Sequence, residues 1–227
     1  MWIDDDVMRN CHEPLVTHVF KPQDSMVVLG SSNLSSEEAD EVNCIEDQIP
    51  IVKRYGGGGT VLLYPGCVVV TIGCWVEDYY ANDEYFKRLN ASIIEALSVS
   101  WPLLSGLAQR GISDIAMNEQ KVVGTSLFRS RNYLLYQASI IVDLDIASIM
   151  RYLKHPSKEP DYRRGRNHKD FLIGIGALVS ASVDEVVAVL SKELPNALSR
   201  RLGDKLIQPV ESQIPNLLQR IERQQPV

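Results

Sequence analysis

Arg54-Tyr55-Gly56-Gly57-Gly58-Gly59-Thr60 sets four consecutive glycines between two β-rich stretches, Ile49 to Arg54 and Thr60 to Tyr64. Glycine weakens any sheet it occupies, by about 0.5–1 kcal/mol per residue relative to alanine. It also leaves the backbone uncovered and able to reach φ > 0, which suits a tight wrap around a phosphate or carboxylate. Arg54 adds a planar, permanently charged fork beside the run. The run is not a P-loop, because no Gly-Lys-Ser/Thr follows, and not a dinucleotide fingerprint, because a strand rather than a helix comes next. Taken alone it admits two readings, a plain hairpin loop or an anion or nucleotide cradle.

The flanks read as an α+β protein built on a mostly antiparallel sheet. Upstream, Leu15 to Phe20 and Ser25 to Gly30 are β-rich and separated by the Lys21-Pro22-Gln23-Asp24 turn, and a short polar helix is expected over 35–42. Downstream, Val68 to Ile72 is a strand. Phe86, Leu89, Ile93 and Leu97 recur at helical spacing behind Asp83, which is placed to cap. Strands follow over 112–116, 121–128 and 133–142, then a short helix behind Asp145 that ends before His155-Pro156. Ser182-Val183-Asp184-Glu185 has the form of a capping box opening a helix, and Ile214, Leu217, Leu218 and Ile221 mark a last amphipathic one.

A second informative stretch is Ser113-Asp114-Ile115-Ala116 followed by Lys121-Val122-Val123-Gly124-Thr125-Ser126. Lys121 opens a strand directly after the Asn118-Glu119-Gln120 turn. Simple alternation puts it on one face with Val123, Thr125 and Leu127, with Gly124 leaving the other face open to close approach. A lysine there is ordinarily a solvated edge charge. A glycine cradle elsewhere in the chain gives it a second use.

Composition narrows the class. The 227 residues are 45% hydrophobic and 23% charged, as in ordinary globular chains, which favours a single domain. No apolar run approaches the ~20 residues of a membrane span. The start, Met1-Trp2-Ile3-Asp4-Asp5-Asp6, is acidic where a secretory leader is basic, so a cytoplasmic protein without a membrane association is expected. The net charge of −6 argues against a dedicated nucleic-acid partner. Cys11, Cys44, Cys67 and Cys74 form no CxxC pair, so no metal site is expected and the thiols read as buried and reduced. No Ser–His–Asp set is evident, and His12, His18, His155 and His168 read as surface or packing residues.

The two stretches together resemble the lipoate–protein ligase A family. Arg54 to Val61, followed by Pro65-Gly66, is similar to its Arg-Arg-x-Ser-Gly-Gly-Gly-[Thr/Ala]-Val motif, and Lys121 to Ser126 to its Lys-[Val/Ile]-x-Gly-[Ser/Thr]-[Ala/Ser] motif. Asp114-Ile115, Val28 to Asn33 and Ser139 to Asp143 also fall in family order, so that the resemblance covers about residues 4–155. It implies the biotin/lipoate ligase catalytic fold: one domain over 1–227, with a core of about 4–200, a C-terminal helix of about 210–224 and no accessory C-terminal domain. It implies ATP and Mg2+ as cofactors. Lipoate or octanoate is activated as an acyl-adenylate and passed to a lysine of a small acidic lipoyl-carrier domain, of the 2-oxoacid dehydrogenase E2 or glycine-cleavage H protein type. By motif position Lys121 is the catalytic residue, and Arg54, Gly56, Gly57, Gly58, Gly59, Thr60, Asp114, Gly124 and Thr125 bind substrate or adenylate. A separate accessory subunit is expected if the reaction needs one. A transferase using a carrier-bound donor and a cysteine, or a non-catalytic acyl- or adenylate-binding relative, are the other readings. Leu63 and Tyr64 stand where the family has His-Asp, and Gln137 where it has histidine.

Residues 151–170 hold seven bases against three acids. Within them Arg163, Arg164 and Arg166 surround Gly165. This loop reads as a solvated segment, as a contact for the acidic carrier, or as a clamp on nucleotide phosphates, since arginine binds carboxylate and phosphate bidentately.

Overall fold

The computed structural model describes residues 5–78 and 80–223. A short helix, α1 (Asp5–Arg9), precedes β1 (Leu15–Phe20). The Lys21 to Asp24 turn then carries the chain from one sheet into another, to β2 (Met26–Leu29). Helices α2 (Ser35–Glu38) and α3 (Glu41–Glu46) lead to β3 (Ile51–Lys53) and β4 (Val61–Leu63), which flank β2 on its two sides. β5 (Cys67–Trp75) returns to the first sheet, followed by α4 (Asn82–Ser100). The strands β6 (Leu107–Arg110), β7 (Asp114–Met117), β8 (Gln120–Ser130) and β9 (Tyr133–Ile141) complete it. The remaining helices are α5 (Ile146–Tyr152), α6 (His168–Phe171), α7 (Ile175–Leu178), α8 (Val183–Leu202) and α9 (Ile214–Arg223).

The larger sheet runs β1-β5-β9-β8-β7-β6 and is antiparallel throughout. The smaller runs β3-β2-β4, with β2 parallel to β3 and antiparallel to β4. The α+β class is as expected, with the mixed pairing confined to the small sheet.

All nine residues of β5 are buried, because both faces of the sheet are covered there. Val68, Val70, Ile72 and Cys74 face the cluster built with Leu89, Ile93 and Leu97 of α4 and Leu190 and Leu194 of α8. On the opposite face Val69 meets Val28 and Leu63 of the small sheet, while Trp75 joins Met8 of α1 and Leu217 of α9. The far side of the small sheet packs through Val27 and Leu62 on Cys44 of α3 and Ile149 of α5. Four layers result, and the gap between the two sheets is where the glycine connection lies.

Local chemistry explains most boundaries. Ser182 and Glu185 form the expected capping box, with Ser182 N–H donating to Glu185 Oε2 at 2.8 Å and Glu185 N–H to Ser182 Oγ at 3.3 Å. Asp83 does not cap α4. The helix begins one residue earlier, its N-cap Ala81 offers no side chain, and Asp83 sits in the first turn, where its charge still favours the helix dipole. The single helix expected over 35–42 is two, because Ala39 bridges to Leu153 and Asp40 starts a new helix by accepting from Asn43 N–H at 3.0 Å. The four cysteines are free and buried. Among the described residues no helix is long and apolar enough to cross a membrane. In α9, Ile214 and Leu217 face inward as its periodicity requires; the acidic start over Met1–Asp4 and the Ile221 side chain lie outside the described residues.

One expectation is overturned in β8. Ile115 pairs with Val123, yet its neighbour Ala116 pairs with Lys121, so Val122 is an extra residue in the strand. This β-bulge breaks the alternation. Val122 and Val123 both enter the core under α4 and α8, and Lys121 lies on the same face as Gly124 rather than with Val123, Thr125 and Leu127. A β-carbon added to Gly124 would stand 3.2 Å from Lys121 Nζ.

Asn90 on α4 ties this region to the helix layer. Its amide donates to Gln109 Oε1 at 2.9 Å and to the Ser113 carbonyl at 3.0 Å, and its oxygen accepts from the buried Tyr136 hydroxyl at 2.7 Å. Asn90→Ala removes these three hydrogen bonds from a buried junction, and urea unfolding is expected to show a loss of about 1–3 kcal/mol.

Candidate functional site

The connection from β3 to β4 is shaped from inside by Arg54, which is only 5% exposed. Its guanidinium turns back into its own loop. Nη2 donates to the carbonyls of Gly57 and Gly59, each at 2.7 Å, and Nε also reaches Gly57 at 3.2 Å. Nη1 donates to the Val28 carbonyl at 3.4 Å, which ties the loop to β2. Gly58 sits at φ +92°, a conformation that side chains rarely adopt. Gly30 is required for a different reason: a β-carbon there would lie 2.1 Å from the Gly58 carbonyl oxygen. The Ser31 N–H donates to the Gly56 carbonyl at 2.9 Å, and Asn33 Nδ2 to Thr60 Oγ1 at 3.1 Å. Gly57 and Gly59 have open space where a side chain would be.

Opposite the loop stands the start of β8. Lys121 Nζ pairs with Asp114 Oδ1 at 2.8 Å, the two side chains being 22% and 13% exposed. Asp114 Oδ2 accepts from the Tyr162 hydroxyl at 2.9 Å. Burial first, then the Asp114 charge, raises the Tyr162 pKa and keeps that hydroxyl a donor. Lys121, Asp114 and Tyr162 thus form one polar chain drawn from β8, β7 and the basic loop. Thr125 points the other way and donates to the Ser113 carbonyl at 2.6 Å, holding the approach to Asp114.

The two walls enclose a cavity of about 100 Å³. Arg54, Gly58, Gly59, Asp114, Lys121, Gly124 and Thr125 all line it. Its apolar side comes from Val28, Val61, Leu63 and Val69, and its polar floor from Ser126, Gln137 and Ser139. Ser126 Oγ donates to Gln137 Oε1 at 3.2 Å. Gly56 is buried against Ser126 at the side of the loop, and Gly57 contributes its carbonyl to Arg54.

A second cavity of about 80 Å³ lies beyond, sharing Val61, Lys121, Gly124 and Ser139 with the first. Thr60 lines this one, with Leu62, Ile149, Phe171 and Leu172 as its apolar wall. Lys121 therefore stands between the two. Cys67 also borders it. Burial pushes that thiol up to about 12, so at neutral pH it is a protonated wall residue rather than a thiolate.

The basic loop closes this end. Arg163 is buried and stacked over Phe171 at 4.7 Å, and lines the second cavity. Arg166 is spent on backbone: Nη2 donates to the Glu119 and Tyr162 carbonyls, each at 2.8 Å, and Nε to the Arg163 carbonyl at 3.0 Å. Arg164 is exposed, in the left-handed region at φ +54°. The three arginines expected to act together do three different things. His168, expected to be a surface or packing residue, lines the second cavity. It contacts the Lys154 carbonyl through Nε2 at 3.0 Å and Arg163 through Nδ1 at 3.5 Å. Tyr162, Ser126 and Ser139 went unassigned in the sequence reading; only the Arg-rich composition around Tyr162 hinted at its use.

With this geometry in view, comparison with known proteins is direct. The model of the lipoyl protein ligase A/B catalytic domain matches residues 1–195. The chain belongs to this family. Among solved structures, the bipartite lipoate protein ligase of Thermoplasma acidophilum, described with its E2 lipoyl domain, superimposes with a TM-score of 0.72 at 19% identity, covering 95% of this chain and 85% of that one. A lipoate–protein ligase A bound with ATP gives 0.70 at 20% identity, with 95% and 87% covered. These share the lipoyl ligase fold with this chain. A curated relative, the inactive lipoate–protein ligase 2 of Plasmodium falciparum, is 26% identical over 180 residues, 66% of this chain and 47% of its own length. The chain spans between about a third and two thirds of the curated relatives it matches.

Two outcomes follow for this lipoyl ligase domain. Gly30→Ala forces the glycine loop away from β2, and overpacking of that kind costs about 1–3 kcal/mol, to be read by chemical denaturation. Burial lowers the His168 pKa below its usual 6.5, so the folded state prefers the neutral ring. The stability this carries is present above pH ~6.5 and drains away as pH falls through the lowered value, because the unfolded chain takes up the proton first. His168→Gln is expected to flatten that part of the melting-temperature profile between pH 7 and 5.

Proposed function

We propose that this chain is a lipoate–protein ligase-type acyltransferase. It joins lipoate or octanoate to ATP as an acyl-adenylate and transfers the acyl group to a carrier-domain lysine. The observation that carries the reading is the shared cavity, which Lys121 lines together with Gly58 and Gly59. In the first step a carboxylate oxygen attacks the α-phosphorus and pyrophosphate leaves. In the second, the carrier amine attacks the acyl carbon, the bond to AMP breaks and the amine gives up a proton. Both steps build negative charge on oxygen, which a fixed cation and amides stabilise where water is excluded. Asp114 occupies one of the three Lys121 donors. The other two remain for phosphate and carboxyl oxygens, and the Asp114–Tyr162 pair keeps the ammonium aimed.

Leu63, Val69, Val28 and Val61 give the first cavity an apolar side for an acyl chain. ATP and lipoate as ligands are supported by relatives named for lipoate and by a similar structure bound with ATP. Mg2+ would enter as a companion of the ATP phosphates; Asp114 is the carboxylate on the cavity wall, and both its oxygens are already engaged by Lys121 and Tyr162, so the phosphates and water would supply the metal's ligands. The carrier is a lipoyl domain, the kind of partner described with the Thermoplasma ligase, whose bipartite form also favours a separate accessory subunit here. The catalytic unit is one domain, with its core over about 4–200, acting in the cytoplasm.

A second reading has an observation of its own. Leu63, Tyr64 and Gln137 replace polar family residues, and a relative at 26% identity is called inactive. The chain is then an acyl- or adenylate-binding protein. The carrier-bound-donor reading has less support, since Cys67 is buried and protonated.

Incubation with ATP, lipoate or octanoate and an unmodified lipoyl domain is expected to shift the carrier mass by one acyl group. Absence of both the shift and pyrophosphate release, with tight calorimetric binding of the acyl-adenylate, would leave the binder reading standing alone. Lys121→Ala is expected to slow transfer by about 10²–10³-fold, with the melting temperature checked alongside; unchanged turnover removes Lys121 from the mechanism.

A further inference from the structure

At the other end of the same sheet face lies a groove that the cavities do not reach. It is walled by Arg129 of β8, Arg131 at the β8–β9 turn and Arg220 of α9, with Gln213, Asn216 and Gln219 between them. It measures about 770 Å³, far wider than a single ion needs. Among the described residues no carboxylate lines it, in a chain whose net charge is −6. Tyr55, the residue between Arg54 and the glycines, forms its border and packs on Phe128 at 5.6 Å, which in turn lies under Arg220 at 5.5 Å.

We infer that this groove is the docking surface for an acidic protein domain, the carrier of the proposed reaction. The inference rests on that reading for the partner's role, and on charge for its chemistry. Guanidiniums pair with carboxylates in planar, bidentate fashion, and complementary patches steer association and fix register. Arg131 and Arg220 are exposed and point from separate elements into one space. Arg129 borders the groove, but its guanidinium lies on the α4 side of the sheet, held by Asn82 at 3.0 Å and stacked over Tyr85 at 5.0 Å, so the charge of the groove comes from Arg131 and Arg220.

The reach is right. Ser126 lines the cavity and Ser130 lines the groove, four residues apart on one strand, about 13 Å at ~3.3 Å per residue. A domain of ~100 residues has a radius of gyration of about 13 Å. A carrier seated in the groove can therefore present a lysine at the cavity mouth. The Arg163–Arg166 loop is the weaker dock, because Arg163 is buried and Arg166 is bound to carbonyls, leaving Arg164 as the exposed arginine of the three.

The test is calorimetric titration of the full chain with a purified lipoyl domain that has an acidic surface and an unmodified acceptor lysine. Combined Arg131→Glu and Arg220→Glu is expected to weaken binding at least tenfold at low salt. Arg164→Glu is expected to change it less than twofold. Circular dichroism and melting check the fold, and Arg131→Gln with Arg220→Gln serves if the charge reversal unfolds α9. Equal binding by the groove variants, a larger loss from Arg164→Glu, or no binding by the unaltered chain overturns the inference. Carrier-free pyrophosphate release by the unaltered chain reads the parent reaction separately, so the two can fail independently.

Discussion

A single buried guanidinium gives the glycine connection its shape. Four glycines in a row have no intrinsic preference for one loop, and ordering them costs more conformational entropy than ordering any other residues. Arg54 answers this by gathering the carbonyls of Gly57, Gly59 and Val28 around one rigid planar group. The loop is thereby fixed to β2 and cannot drift into the gap between the sheets. Its contact with Gly30 leaves no room for even a methyl group. The family motif places an arginine before the glycines; here its local work is architectural, and the cavity exists because that work is done.

The opposite wall depends on a different economy of structure. Lys121, Asp114 and Tyr162 are far apart in sequence and come together only because the large sheet brings β7 beside β8 and the basic loop folds back over both. Behind them Asn90 and Thr125 fix the Ser113 carbonyl, so the pair rests on the helix layer. The two walls are thus held by independent anchors, one in the small sheet and one in the large. A ligand between them bridges the two halves of the fold.

Much of this was legible in the chain. The glycine run and the Lys121 stretch carry local chemistry that survives reading in one dimension, and periodicity gave α4, α8, α9 and most strands. What stayed hidden had physical causes. β6 is four residues long with one buried position, too short for a period to register. Asp83 looked like a cap, but the cap position fell to Ala81. Arg163, Arg164 and Arg166 looked alike because sequence does not say which guanidinium will find carbonyls and which an aromatic face. The groove beside Tyr55 draws on residues from 55 to 220 and leaves no local signature.

The extra residue at Val122 has a wider meaning. Strand alternation would assign the ammonium to the layer beneath α4 and α8, amid hydrocarbon. Removing that one valine by deletion would keep every motif letter nearly intact, yet turn the cation inward and the pocket blank. In such a strand, spacing is itself a functional group: descendants can exchange the side chains around it more freely than they can change its count.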